Sequence, residues 1–226
     1  MPALRALAWF AEGMRLWRRG PATFAALAFF TLVASVALEP VPVLGFVASN
    51  VIAPLIATGM LYASLAADRG DRPRLKHAIA VFAAPAGAQA TVIVAGLVAF
   101  AAEAVAAWQT ADVNLFLPSG ETGSLPISAV IVIYVAGIAA SLPLTFVPFA
   151  ALFDGDALVR AFAISGRAFA CNVPALALYA GISLSLLLVG LASLGIGLVL
   201  VLPWIAAASY AAWKDIFGLG LGNLSQ

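Results

Sequence analysis

The chain has 226 residues, 64% of them hydrophobic and only 9% charged, with a mean hydropathy of +1.09 and a formal charge of +1. A soluble domain is roughly half apolar and about a quarter charged, so this composition excludes a water-coated globule. The charges are also segregated: none occurs in 20–38, 40–67, 123–153 or 168–213, and 77–102 holds only His77. A bilayer core takes about 20 apolar residues per helix, so the last window holds two spans. Helices satisfy their own backbone groups in lipid, and the fold class expected is an all-α polytopic membrane protein with six transmembrane helices.

In chain order, Leu7, Phe10, Met14 and Trp17 recur at helical spacing opposite Arg5, Glu12, Arg15 and Arg19, predicting an interfacial amphipathic helix over 3–19. Pro21 suits the first turn of a new helix, which runs to about Leu38. Arg15, Arg18 and Arg19 before an apolar core, with Ser35-Val36-Ala37 after it, imitate a signal peptide. The long amphipathic leader argues against cleavage. Glu39-Pro40-Val41-Pro42 reads as a tight outer turn, helix 2 as about 45–67 with Pro54 inside, and 68–72 as a return to water. A second unit opens with Leu75, Ile79 and Phe82 beside Arg74 and Lys76. Helix 3 follows over about 85–108, a polar loop with a Pro118-Ser119-Gly120 turn, and helix 4 over about 126–153 with Pro143 and Pro148 inside. The third unit sets Leu158, Phe162 and Phe169 against Asp156, Arg160 and Arg167. Helix 5 starts near Pro174, turns at Gly190–Gly195, and helix 6 ends at Trp213.

The expected plan is one integral membrane domain, 1–226, of three hairpins (about 1–68, 73–153 and 154–217), each led by a cytosolic amphipathic segment. Pro54, Pro143 and Pro203 each lie about eleven residues before the inner end of their helix, roughly 17 Å along it and near the bilayer midplane. Proline is also common in membrane helices generally. Six crossings place every Lys and Arg on one face, with Glu12, Asp68, Asp71, Asp154, Asp156 and Asp215. The other face holds Glu39, Glu103, Asp112 and Glu121 and no base. The positive-inside rule then puts both termini in the cytoplasm.

Little in the chain points to chemistry. One histidine and one cysteine, His77 and Cys171, give no metal cluster and no Cys–His pair at a known spacing, and leave the redox compartment open. Neither a P-loop, a nucleophile elbow nor an HExxH helix is present, and the glycines at 190–197 sit in an apolar hairpin. No catalytic residue, metal or cofactor is expected. His77 reads as a solvated surface histidine rather than a proton relay. Glu103 is the one charge inside an expected span, where a central acid costs about 2.5–3.5 kcal/mol. Its place near the outer end makes it an interfacial carboxylate, with an ion path as the competing reading. Asn50 lies one turn before Pro54, whose ring frees the Asn50 carbonyl, either to line a polar cavity or to be met by a neighbouring helix. Arg15, Arg18, Arg19, Arg72, Arg74, Lys76, Arg160 and Arg167 are candidate contacts for anionic headgroups, each worth about 1 kcal/mol near such a surface. Nucleic-acid binding would need a larger exposed basic surface.

The segments FAEGMRLWRRGP (10–21), APLIATGMLYASLAADRGD (53–71), ALVRAFAISGRAFACNVPALALY (157–179) and LVLPWIAAASYAAWKDIF (200–217) carry a resemblance. The chain resembles an uncharacterised family of proteobacterial six-helix inner-membrane proteins, a domain of unknown function. The likeness implies six spans in the cytoplasmic membrane and transfers no activity. More loosely, the plan is similar to the membrane portion fused to some glycerophosphodiester phosphodiesterases, whose catalytic domain has no counterpart here. The expectation is a non-enzymatic protein acting through lipid contacts, a membrane-protein partner or a homo-oligomer, in an accessory, assembly or scaffold role. The alternative is a transporter or channel for a small, weakly polar solute.

Overall fold

Long runs without charge leave the backbone no partner but itself, and the chain answers with helices. The computed structural model describes residues 1–36, 45, 48–115 and 126–218, with no strand among them. The expected turns at Glu39–Pro42 and Pro118–Gly120, and Glu121, lie outside the described residues. Eight α-helices are described: α1 Arg5–Trp17, α2 Pro21–Val36, α3 Ala53–Asp68, α4 Ala86–Ala111, α5 Ile127–Ser141, α6 Val147–Leu152, α7 Leu158–Ala192 and α8 Leu198–Ile216. A π-turn, Ala48–Ile52, leads into α3, and 3₁₀ helices cover Leu75–Ala83 and Leu142–Leu144. Four stretches are long and apolar enough to cross a membrane: Ser49–Asp68, Ala86–Ala111, Ile127–Leu144 and Leu158–Ala192. Pro21–Ser35 is apolar but shorter.

The helices pack as three pairs, α2 with α3, α4 with α5, and α7 with α8, and every pair touches the other two. The α3 helix meets both α8 and α4, while α4 and α6 meet α7. The pairs therefore close around a centre rather than lying in a row.

Proline sets several of the breaks. Pro54 is not inside a helix, as expected from sequence, but in the first turn of α3, where the π-turn hands over and a missing N–H costs nothing. Pro143 ends α5, and the chain passes through a 3₁₀ turn into α6. The Ser165 hydroxyl of α7 repairs that break, donating to Pro143 O at 2.7 Å and accepting from Phe146 N–H at 3.0 Å. Pro203 lies within a continuous α8 and is fully buried. The amphipathic segment before Pro174 is helical from Leu158, and a kink separates it from the helix expected to start near Pro174. The kink within α7 falls at Asn172 (φ −131°, ψ 22°), whose side-chain amide donates to Ala168 O at 2.8 Å.

The largest departure from expectation is α1. The sequence stripe Leu7, Phe10, Met14 and Trp17 was expected to lie among acyl chains. Instead Ala6, Trp9, Phe10, Gly13 and Leu16 are buried, chiefly against α8, and Leu4 and Leu7 face outward at 71% and 53% exposure. Gly13 makes this possible: a β-carbon there would stand 2.6 Å from the Ala208 backbone nitrogen. Trp204 Nε1 donates to Phe10 O at 2.9 Å, and Phe10 stacks on Tyr179 of α7 at 5.3 Å.

Gly13→Ala is expected to destabilise the protein by about 1–3 kcal/mol through forced separation of α1 and α8. Gly166→Ala, in a helix with open space around it, is expected to be neutral or to stabilise by about 0.5–1 kcal/mol. Thermal unfolding of the two variants in one detergent checks the contrast, and equal effects would remove the close-approach explanation.

Candidate functional site

Two features stand out, a polar knot at one end of the bundle and a chamber at its centre. The knot is built on Lys214 and Asp215 at the end of α8. Lys214 Nζ donates to both carboxylate oxygens of Asp68 at 2.8 Å, and Tyr210 Oη donates to Asp68 Oδ2 at 3.0 Å. The Asp68 side chain is 2% exposed and Arg15 approaches it at 3.9 Å. Asp215 accepts two bonds from the Arg5 guanidinium, at 2.6 and 2.7 Å, and a third from Trp9 Nε1 at 2.8 Å. The Asp215 hydrogen bonds and charge raise the Arg5 pKa. Arg15 pairs with Glu12 and holds its carboxyl below the usual range, while Arg19 donates to Ala67 O. A cleft of about 540 Å³ lies over the knot, lined by Arg5, Trp9, Glu12, Tyr210, Lys214 and Asp215. Its charges already satisfy one another, so its chemistry is that of a clasp.

The basic candidates divide accordingly. Arg15 and Arg19 are engaged within the protein, and Arg160 pairs with Asp156 at 2.8 Å. Arg18, Arg72, Arg74, Lys76 and Arg167 are exposed and form no ion pair among the described residues. The 3₁₀ segment beside Arg74 and Lys76 packs its backbone on Gly59 of α3 and buries Val81, leaving Leu75, Ile79 and Phe82 at 50–65% exposure. A basic edge thus borders an outward apolar stripe, the pattern of a membrane-surface element. Arg74 N–H donates to His77 Nδ1 at 3.3 Å.

The chamber, about 470 Å³, lies where the three pairs meet. Pro54 and Thr58 of α3, Gly96 and Ala99 of α4, Ser141 and Thr145 around the α5–α6 break, Tyr179, Ser183 and Leu187 of α7, and Ile205 and Ser209 of α8 contribute to it. No charged side chain lines it among the described residues. Neither Asn50 nor Glu103 reaches it. The Asn50 carbonyl lies near Gly96, 3.9 Å from where a β-carbon would be, and Glu103 is half buried between α4 and α5, pressed on Gly137. Pro143 and Pro203 stand beside the lining residues Leu142 and Leu202 without lining the space themselves.

The chamber's hydroxyls were the residues hardest to foresee. Several hydroxyls on the apolar helices turn back to their own backbone, Thr31 to Leu27 O, Ser64 to Met60 O, Thr91 to Gly87 O and Ser185 to Gly181 O, while Ser165 and Thr23 reach other segments. Thr58 and Ser209 also turn back to their own backbone, and Tyr179 Oη donates to Ile205 O at 3.2 Å. Ser183 is 9% exposed, and its oxygen makes no hydrogen bond of regular geometry, although the Tyr179 hydroxyl one turn earlier lies within reach. A buried hydroxyl left so costs about 1–3 kcal/mol.

The chain matches no family model, no curated protein and no solved structure.

Asp68→Asn is expected to cost about 3 kcal/mol, because it strands a mostly buried Lys214 ammonium. The double variant Asp68→Asn/Lys214→Met should recover part of that loss in the same unfolding assay; no recovery would mean the pair is not coupled. A second expectation concerns pH. Burial, then the Lys76 and Arg74 charges, lower the His77 pKa, so the folded state prefers the neutral imidazole that accepts the Arg74 N–H bond. That preference holds at high pH and is lost as pH falls through the ordinary histidine value of about 6.5 and then the lowered one. Amide protection in 74–83, corrected for the intrinsic pH dependence of exchange, should fall over that interval and stay constant in His77→Ala; unchanged wild-type protection would contradict it.

Proposed function

We propose that the protein is a six-span cytoplasmic-membrane protein with both termini inside, acting by contact with lipid rather than by catalysis. The spans are α2, the π-turn with α3, α4, α5 with its 3₁₀ extension, α7 beyond Asn172, and α8. The two helices of about 16 residues, α2 and the apolar part of α8, reach about 24 Å, within what local thinning and flanking residues accommodate. Every Lys and Arg then sits at the end of the bundle marked by the Asp68–Lys214 knot, where the anionic leaflet attracts them. Exposed Arg72, Arg74 and Lys76 hold the Leu75–Phe82 stripe on that leaflet. The observation that carries the reading is a chamber with no charged side chain among its described lining residues, which fits apolar occupants and disfavours ions; with the spans so placed it lies at membrane depth beneath a basic rim. An accessory or assembly role follows, with a membrane-protein partner or a second copy on the broad apolar face of α5.

A transporter of a small, weakly polar solute is the second reading, favoured by the hydroxyls that line the chamber. Loss of solute uptake in vesicles on filling the chamber would favour it over a lipid-contact role.

Single cysteines at Ser119 and Asp71, in a Cys171→Ser background, test the topology on which both readings depend. An impermeant maleimide should label position 119 in intact cells and position 71 only after permeabilisation. The reverse pattern, or both positions on one face, would overturn the proposal.

A further inference from the structure

The chamber is open to one side. The α5 helix rests on α4 and on its own 3₁₀ extension, and α7 meets that extension at Leu142–Leu144, while among the described residues no comparable packing joins α5 to α7 beyond it. Tyr134 and Val135 of α5 and Leu188 of α7 are accordingly exposed. If the spans lie as proposed above, the gap between α5 and α7 faces acyl chains rather than water. A ligand that enters here comes from the bilayer.

The lining narrows its chemistry. With no charged side chain in the chamber, an anionic or cationic headgroup would be buried without a counter-charge. At about 470 Å³ the space falls within the range of small-ligand sites, roughly 300–1,000 Å³. Ser183 supplies the one specific demand. It lies eleven residues beyond the Asn172 bend, about 17 Å along α7 and near the bilayer centre. Its hydroxyl forgoes the turn back to its own helix that Ser185 makes two residues later. The Tyr179 and Ser209 hydroxyls stand close by, on the knot side. Ordinary phospholipids keep their polar groups at the interface, so their chains would leave Ser183 unmet.

We infer that the chamber is a binding site for a neutral single-chain lipid carrying one hydroxyl or carbonyl, which enters between α5 and α7 and bonds Ser183. This rests on the lipid-contact reading of the protein and names the class of lipid. The Ser183 hydroxyl serves as donor to a carbonyl or as either partner to an alcohol, and the small residues Gly96 and Ala99 give the chain its room.

The test uses oleyl alcohol and octadecene as probes, binding to the full chain in lipid nanodiscs. The expected result is that the alcohol binds about fivefold more tightly than the hydrocarbon, that Ser183→Ala removes the difference, and that Ser183→Thr keeps it. Ala99→Phe, which fills the chamber, should abolish saturable binding of both. Equal binding of the two probes to the wild type, or a preference that survives Ser183→Ala, would overturn the inference and leave the lipid-contact reading standing. Absence of saturable binding of either probe, with Ala99→Phe indistinguishable from wild type, would overturn both.

Discussion

Adjacent residues on a helix point about 100° apart, and the end of α8 uses that angle to hold two other helices at once. Lys214 turns to the buried Asp68 at the end of α3, and Asp215 turns to Arg5 and Trp9 on α1. Both carboxylates are met by several donors, which is what makes burial of charge tolerable. Removing Lys214 would strand the buried Asp68 carboxylate, whereas removing Asp215 would free a half-exposed Arg5 and unfasten α1. The rest of the bundle is placed from here: α3 and α8 are held side by side, α1 is drawn across them, and the space they cannot fill farther in becomes the chamber.

Small residues let this scaffold close. Without a solvent-driven force between helices in lipid, association depends on close packing. Gly13 brings α1 onto the Ala208 backbone, Gly59 brings the 3₁₀ segment onto α3, and Gly137 receives Glu103. The same economy at Gly96 and Ala99 helps leave a space rather than a contact. Tight packing at the knot and loose packing at the centre are thus two outcomes of one composition. The first gives rigidity, and the second gives the molecule somewhere to hold a guest.

Much of the architecture was legible because charge is so sparse. The gaps between charged clusters marked the long helices and Pro174 the start of one, whereas Pro54 and Pro143, read as lying inside helices, sit at a helix start and just past a helix end. What escaped was anything decided by partners distant in sequence. Asp68 reads as part of the polar turn Asp68-Arg69-Gly70-Asp71-Arg72, and only the fold brings it to Lys214. The face of α1 was misjudged because hydrophobicity favours Leu7 and Met14, whereas burial followed Gly13, which carries no side chain, and Trp9, which carries a donor for Asp215. Pro174 suggested a helix start, and the non-helical Asn172 does break α7 two residues before it, its amide meeting the Ala168 carbonyl. The chamber had no sequence signature, since a serine in an apolar run ordinarily bonds its own backbone, and only the fold shows that Ser183 does not.

Hydrogen exchange of residues 5–17 in a bilayer, compared between the wild type and Lys214→Met/Asp215→Asn, addresses the organising role of the α8 terminus most directly. Strong protection of α1 in the wild type, lost together with protection at the end of α3 in the variant, is the predicted result. An α1 whose protection is indifferent to those two substitutions would be a helix floating on lipid by itself, and the account would be contradicted.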